Sequence, residues 1–199
     1  MRKSTEHNRQ ISEKLNKLSL TQVAIFFCLA CDRQLPIYKK FSKGQSWGDS
    51  KALMSLLNKC WEWSISYGKI PKPPIPTANN FIKVSGGQAG SGHAAYPYYS
   101  IDDLVNYINT ECRNDRNNPA TNAINIIDAY LYDTVFSSVT KENDNRIDTH
   151  PLMTQEMNRQ SHDIVLVSQL NWNNINWKKE RKSASGRIIL DLSSKKSLT

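Results

Sequence analysis

Apolar residues recur every three or four positions along most of the chain, which is the period of an amphipathic helix. The clearest stripe begins near Ser50 and stops before Gly68. Its members are Leu53, Leu56, Leu57, Cys60, Trp61 and Ile65. Similar stripes predict a short helix around Ile11 to Leu18, a helix opened by Pro119 and a last long helix opened by Pro151. Because no stretch alternates with the period of a strand, we predict a compact, all-α, single-domain bundle of about six to seven helices over residues 1–199.

The segment from Val23 to Cys31 is apolar on more than one helical face, which predicts a central and buried helix. Thr21 is its predicted N-cap. Pro36 is expected to interrupt this helix, with a further helical turn following it, because proline lacks the amide that a helix interior needs.

Prolines and glycines concentrate between residues 70 and 99, which predicts a long surface connection with little regular structure. Helix is expected to resume at Ser100, where Asp103 three residues later approximates a capping box. Lys141 to Asp148 is predicted to be a polar loop. Residues 178–199 are expected to form a basic tail.

The chain has 26 Lys+Arg against 18 Asp+Glu, a formal charge of +8, which points to a partner with a negative surface. The sequence contains a dense basic group near its end, from Lys178 to Lys182, and a second, looser basic group from Arg33 to Lys59. Neither an RNA-binding pattern nor zinc-finger spacing occurs, which disfavours nucleic acid. No apolar run reaches membrane-spanning length, and the first residues lack the apolar core of a secretory signal. We therefore expect a cytoplasmic protein that does not enter membranes.

The residues that commonly carry chemistry do not assemble into a site. Cys28 and Cys31 form a CxxC, but inside an apolar helix with no preceding strand, so we expect reduced core thiols without metal. The four histidines are scattered, and the Gly86 to Gly92 run lacks the Lys-Ser/Thr of a phosphate-binding loop. The sequence therefore predicts neither catalytic residues nor a cofactor, and we expect a protein that is not an enzyme.

One block of motifs resembles the YjaG-like bacterial family, which is catalogued as a domain of unknown function. The family pattern Ala-Cys-Glu-Arg-x-x-Pro-x-Tyr-x-x-Phe is matched, with Asp32 in place of Glu, at Ala30, Cys31, Arg33, Pro36, Tyr38 and Phe41. A second pattern is matched at Ile75, Pro76, Ala78 and Phe81. The resemblance implies a compact helical fold and brings no catalytic residue. Its familiar members are acidic, whereas this chain is basic, which implies a different partner.

We interpret the chain as a protein-binding protein, specifically an immunity protein that neutralises a co-encoded bacterial toxin. The alternative is a housekeeping or signalling accessory protein of the YjaG-like family. A basic patch with nearby tryptophans is the predicted binding site for an acidic protein surface. Its residues are Trp172, Trp177, Lys178, Lys179, Arg181 and Lys182. The loop from Gly86 to Tyr99 is the next candidate.

Overall fold

The structure is a computed structural model that describes residues 2–45, 48–75, 92–112, 118–136, 140–169 and 174–184. All regular structure in these ranges is helical, which confirms the predicted all-α class. The helices are α1 (Lys3–Leu15), α2 (Leu20–Gln45), α3 (Ser50–Ile65), α4 (Gly92–Thr110), α5 (Pro119–Thr134), α6 (Lys141–Thr149), α7 (Pro151–Ser168) and α8 (Trp177–Ala184). The described residues thus contain eight helices rather than six or seven, because α6 and α8 occupy segments expected to be loop and tail.

Helix α2 is the centre of the bundle. It has 26 residues and packs against α3, α4, α5, α7 and α8. Every residue from Val23 to Leu35 is buried, as expected for a helix surrounded by other helices. The prediction that this segment is central and buried is confirmed.

Polar side chains set the starts of the helices. Ser19, rather than the predicted Thr21, caps α2: its hydroxyl accepts from the Gln22 amide, and the Gln22 side chain accepts from the Ser19 amide. Asp49 caps α3 and Asn118 caps α5, each accepting two amide hydrogen bonds from the first turn.

Two helices contain a proline that was expected to lie outside regular structure. Pro36 lies inside α2, and Pro97 lies inside α4, which begins at Gly92 instead of Ser100. A proline in a helix interior costs about 3 kcal/mol. Tyr38, two residues after Pro36, and Tyr98, directly after Pro97, are both buried in the core. The packing of such neighbours offsets the cost of the two prolines. The prediction of irregular structure is therefore wrong for residues 92–99.

Helix α6 corrects the prediction of a polar loop at Lys141 to Asp148. The Thr140 hydroxyl accepts from the Asn143 amide at 3.1 Å, and Glu142 lies in the first turn, where it favours the helix dipole. Ile147 is completely buried and holds the helix against its neighbours. A strong cap and one apolar anchor are enough here, although the segment is polar overall.

Three of the four cysteines, Cys28, Cys31 and Cys60, lie buried in the core, whereas Cys112 is exposed. Burial raises the pKa of the first two thiols and raises the pKa of Cys60 to about 12. Core positions for Cys28 and Cys31 are confirmed, and their thiols are poor nucleophiles at neutral pH.

We predict that a thiol reagent such as DTNB modifies Cys112 rapidly in the native protein and the three buried thiols only on unfolding. Replacing Cys28 and Cys31 together with Ala should lower the free energy of unfolding by about 1–3 kcal/mol, because both changes leave small cavities. Cys112→Ala, the matched control, should change it by less than about 0.5 kcal/mol. Stoichiometric zinc that disappears with the double substitution would contradict this interpretation.

Candidate functional site

Three consecutive polar residues, Asp32, Arg33 and Gln34, are buried in the middle of α2, with 5%, 1% and 0% exposure. We call them the polar hub. Successive side chains on a helix point about 100° apart, so these three leave α2 in different directions. A buried polar group is costly unless it is hydrogen-bonded, and each member finds partners on different helices.

Arg33 pairs with two carboxylates of α7. Its Nε lies 3.0 Å from Glu156 Oε2, its Nη2 lies 3.0 Å from Glu156 Oε1, and its Nη1 contacts Asp163. Burial opposes the charge of Arg33, but the two carboxylates outweigh it and hold its pKa above the ordinary value. Gln160 extends this cluster by donating to Glu156 Oε1 at 3.0 Å and to the Ala120 carbonyl of α5 at 2.9 Å.

Gln34 connects α2 to the helices on another side. Its Nε2 donates to the Pro119 carbonyl at the start of α5 at 3.0 Å, and its Oε1 accepts from the Ser100 hydroxyl of α4 at 2.9 Å. Ser100 therefore lies inside α4 as a buried hydrogen-bond donor, and the prediction that it begins a helix is wrong.

Asp32 joins α2 to α3 and α8. Its Oδ2 accepts from Trp61 Nε1 at 2.8 Å and from Arg181 Nε at 3.0 Å. The Arg181 guanidinium also lies 5.0 Å from the Trp61 ring centroid and donates to Asn58 Oδ1 at 2.9 Å. Burial raises the pKa of Asp32, while the bonds from Arg181 and Trp61 act in the opposite direction. The ring of Trp177 packs against Trp61 with centroids 6.0 Å apart.

These contacts divide the predicted partner-binding set. Trp177 is 5% exposed and Arg181 faces the polar hub, so both hold α8 to the bundle. The remaining lysines of α8 are exposed: Lys178, Lys179 and Lys182. Trp172, the tail beyond residue 184 and the run from Gly86 to residue 91 lie outside the described residues. The binding role of the set stays a prediction.

Helix α8 is separate from the last long helix, since α7 ends at Ser168. Residues 178–184, expected to be tail, are helical. Arg33, placed by its charge in the looser basic group, is buried and neutralised rather than exposed. The local sequence of α8 and of the region around Arg33 does not show which of their side chains face the core.

A cleft of about 750 Å³ lies between α2, α7 and α8, with the Arg33–Asp163 ion pair at its floor. Arg159, His162 and Glu180 lie among polar amides and hydroxyls along its walls. Side chains of both charge signs line the cleft. In the part of the chain that the structure describes, no group of three or more His, Cys, Asp or Glu is arranged to hold a metal ion. No helix there is long and apolar enough to cross a membrane.

The sequence interpretation did not assign the polar hub a role. One signal was present in the sequence: three consecutive polar residues follow directly on the apolar segment from Val23 to Cys31, which was expected to be buried. Their partners could not be inferred, because Glu156 lies 123 residues from Arg33 and Arg181 lies 149 residues from Asp32.

Comparison with known proteins places this arrangement in context. Residues 10–70, which contain the polar hub, match the family model described as "Protein of unknown function (DUF416)". The fold is similar to that of a solved DUF416 family structure. A crystal structure of a DUF416 family protein from Shewanella baltica OS155 is similar, with a TM-score of 0.68 and 19% identity over 86% of this chain and 91% of that one. No curated protein matches the sequence.

We predict that Arg33→Met lowers the free energy of unfolding by about 3–5 kcal/mol, because Glu156 and Asp163 are left buried without their counter-charge. Adding Glu156→Gln and Asp163→Asn should recover part of the loss. Urea unfolding followed by circular dichroism measures both.

Arg9 provides the matched control, since it also joins two carboxylates, Glu6 and Glu13, but on the exposed side of α1. We expect Arg9→Met to change the urea midpoint by no more than experimental error, because exposed ion pairs add little stability. Equal effects of the two arginine substitutions would show that the buried cluster does not support the fold.

Proposed function

We propose that this chain is a non-enzymatic, cytoplasmic protein-binding protein that neutralises a co-encoded bacterial toxin with an acidic surface. The observation that carries the proposal is the division of charge among the described residues: four carboxylates, Asp32, Asp148, Glu156 and Asp163, are buried, whereas every described lysine is exposed. We also propose that the whole chain, beyond residues 10–70, is a divergent member of the YjaG-like group within DUF416.

Three ion-pair clusters, one buried and two partly buried, contain three arginines and six carboxylates. Arg33 and Arg181 belong to the polar hub and its partners. Arg2 forms the third cluster, with Asp148 at 3.0 Å, Asp144 at 3.4 Å and a contact to Asp128. Because these clusters are negative on balance, the rest of the protein is more basic than the net charge of +8 indicates.

The exposed lysines stand on rigid helices. They lie near the end of α2, on α3 and on α8: Lys39, Lys40, Lys51, Lys59, Lys178, Lys179 and Lys182. Such a surface attracts an acidic protein and speeds the encounter with it. A preformed scaffold also binds without the entropy cost of ordering a flexible segment.

A housekeeping or signalling accessory role is the second candidate, and the match of residues 10–70 to a family model favours it. The two candidates differ in what the neighbouring genes encode. A toxin gene directly upstream supports immunity, whereas a sensor kinase gene supports signalling.

The direct test expresses the product of the adjacent upstream gene in bacteria, alone and together with this chain. We expect the gene product to stop growth when expressed alone and co-expression to restore growth, with a stable complex of the two purified proteins. A harmless gene product, or toxicity that this chain does not relieve, would contradict the immunity proposal.

We predict that Lys178→Glu, Lys179→Glu and Lys182→Glu together slow association with that gene product by roughly tenfold and flatten its dependence on salt. Arg181 is left unchanged because it bonds to Asp32. The matched control reverses three exposed lysines in α1 and the turn that follows it: Lys3, Lys14 and Lys17.

Stopped-flow association at several salt concentrations measures the effect, and circular dichroism should show the same helicity for both variants. If the α8 variant associates at the wild-type rate with the wild-type salt slope, the α8 lysines do not take part in the encounter.

A further inference from the structure

The cleft between α2, α7 and α8 has a buried carboxylate at its floor. Asp163 is 8% exposed, and its Oδ2 accepts from Arg33 Nη1. Among the described residues, none donates a hydrogen bond to its other oxygen, Oδ1. The side chain of Asp163 lines the cleft and keeps 11% of its surface accessible there. Its Oδ1 is therefore an acceptor that a bound ligand can reach.

The buried cluster behind this floor has more negative than positive charge. Arg33 supplies one positive charge, whereas Glu156 and Asp163 supply two negative ones. Both oxygens of Glu156 already accept from Arg33, and its Oε1 also accepts from Gln160. The charge that Arg33 does not balance is thus left on the side of Asp163 that faces the cleft. A cation bound there would compensate it, which matters because a buried charge without a counter-charge is costly.

A second carboxylate faces the same cleft from α8. Glu180 is half-buried, lines the cleft and forms no ion pair with any residue that the structure describes. The lysines of α8 point elsewhere: at about 100° per residue, Lys178 and Lys182 lie about 200° around the helix from Glu180, and Lys179 about 100°. Two carboxylates on different helices, Asp163 and Glu180, therefore look into one space.

Positive groups line the cleft as well, but they do not outweigh its carboxylates. Arg33 is neutralised within the buried cluster, and Arg159 on the wall takes part in an interaction of its own. With Glu156 counted directly behind the floor, three carboxylates stand against two guanidiniums among the described residues of this region. The cleft is thus negative on balance in a chain whose formal charge is +8.

The cleft also has room for the chain that carries a cation. Its volume of about 750 Å³ is typical of sites for small organic ligands and is far larger than a single metal ion needs. Leu29 and Pro151 offer apolar surface to methylene groups, while Gln155 and Asn158 offer amides to polar atoms. These walls fit an aliphatic chain with a polar end.

We propose that this cleft binds an organic cation, a guanidinium or a primary ammonium on an aliphatic chain, between Asp163 on α7 and Glu180 on α8. Such a group has several N–H donors and can bond to both carboxylates at once. Arginine and lysine side chains of a peptide have this chemistry, and so does a free diamine. The site is distinct from the exposed lysines of α8 and does not depend on the proposed function.

The test titrates the full-length protein by isothermal titration calorimetry with three probes: agmatine, a blocked Gly-Gly-Arg-Gly-Gly peptide, and the same peptide with citrulline in place of arginine. Citrulline has the shape of arginine without its charge, so we expect its peptide to bind at least about tenfold more weakly than the arginine peptide. Tighter binding of the arginine peptide than of agmatine assigns the cation to a protein segment. Tighter binding of agmatine assigns it to a free amine.

Two variants locate the binding in the cleft. Glu180→Gln removes a carboxylate that holds no ion pair among the described residues, and it should weaken the tighter charged probe by about threefold or more. Asp163→Asn should weaken it by at least about tenfold. Because Asp163→Asn also removes a partner of Arg33, circular dichroism checks its helicity, and Glu180→Gln decides the test if that variant does not fold. The matched control, Glu62→Gln, changes an exposed carboxylate of α3 and should bind as the wild type does.

The proposal is overturned if neither charged probe binds, or if the citrulline peptide binds as tightly as the arginine peptide. It is also overturned if Glu180→Gln weakens binding no more than Glu62→Gln does. None of these measurements involves a toxin, so a harmless neighbouring gene product contradicts the immunity role and leaves the cation site in place.

Discussion

Burial of a guanidinium, a carboxylate and an amide on consecutive residues of α2 is the constraint on which the rest of the structure depends. Asp32, Arg33 and Gln34 would each carry a large desolvation cost if left without partners. Their partners come from α3, α4, α5, α7 and α8, so five helices must lie where those bonds can form. Apolar packing supplies most of the driving force for collapse, but it is not directional. The polar hub adds direction, and we infer that it selects this arrangement of helices over others with similar apolar burial.

The same constraint shapes the outer surface. Carboxylates such as Glu156 and Asp163 are needed inside to neutralise Arg33, so they do not balance the lysines outside. Arg181 and Trp177 are likewise committed to holding α8 against Asp32 and Trp61. What α8 exposes to solvent is therefore its lysines.

Much of the fold could be predicted from the sequence, because its signals are local. The apolar stripe after Ser50 and the prolines that open α5 and α7 gave the right helices. Pro36 and Pro97 led to a wrong prediction of helix boundaries, because both lie inside helices. The sequence shows that a proline destabilises a helix, but not that buried neighbours stabilise it. Helix α6 was missed because a cap and a single buried isoleucine stabilise a segment that is polar overall.

The site could be predicted only in part. The cluster of lysines in α8 is visible in the sequence, and these lysines are exposed. The inward direction of Arg181, however, depends on Asp32, which lies 149 residues away in sequence. Contacts across such separations arise from the packing of the whole bundle, and no local pattern encodes them.

Native-state amide hydrogen exchange, resolved by residue and repeated at increasing urea, tests the central role of the polar hub most directly. The account predicts that amides around Arg33 in α2 and around Glu156 in α7 exchange only through global unfolding, with the same free energy and urea dependence. Helix α8, joined to the hub through Arg181, should open at lower free energy. Exchange around Arg33 by local opening, well below the global free energy and independent of α7, would contradict the claim that the polar hub holds the bundle together.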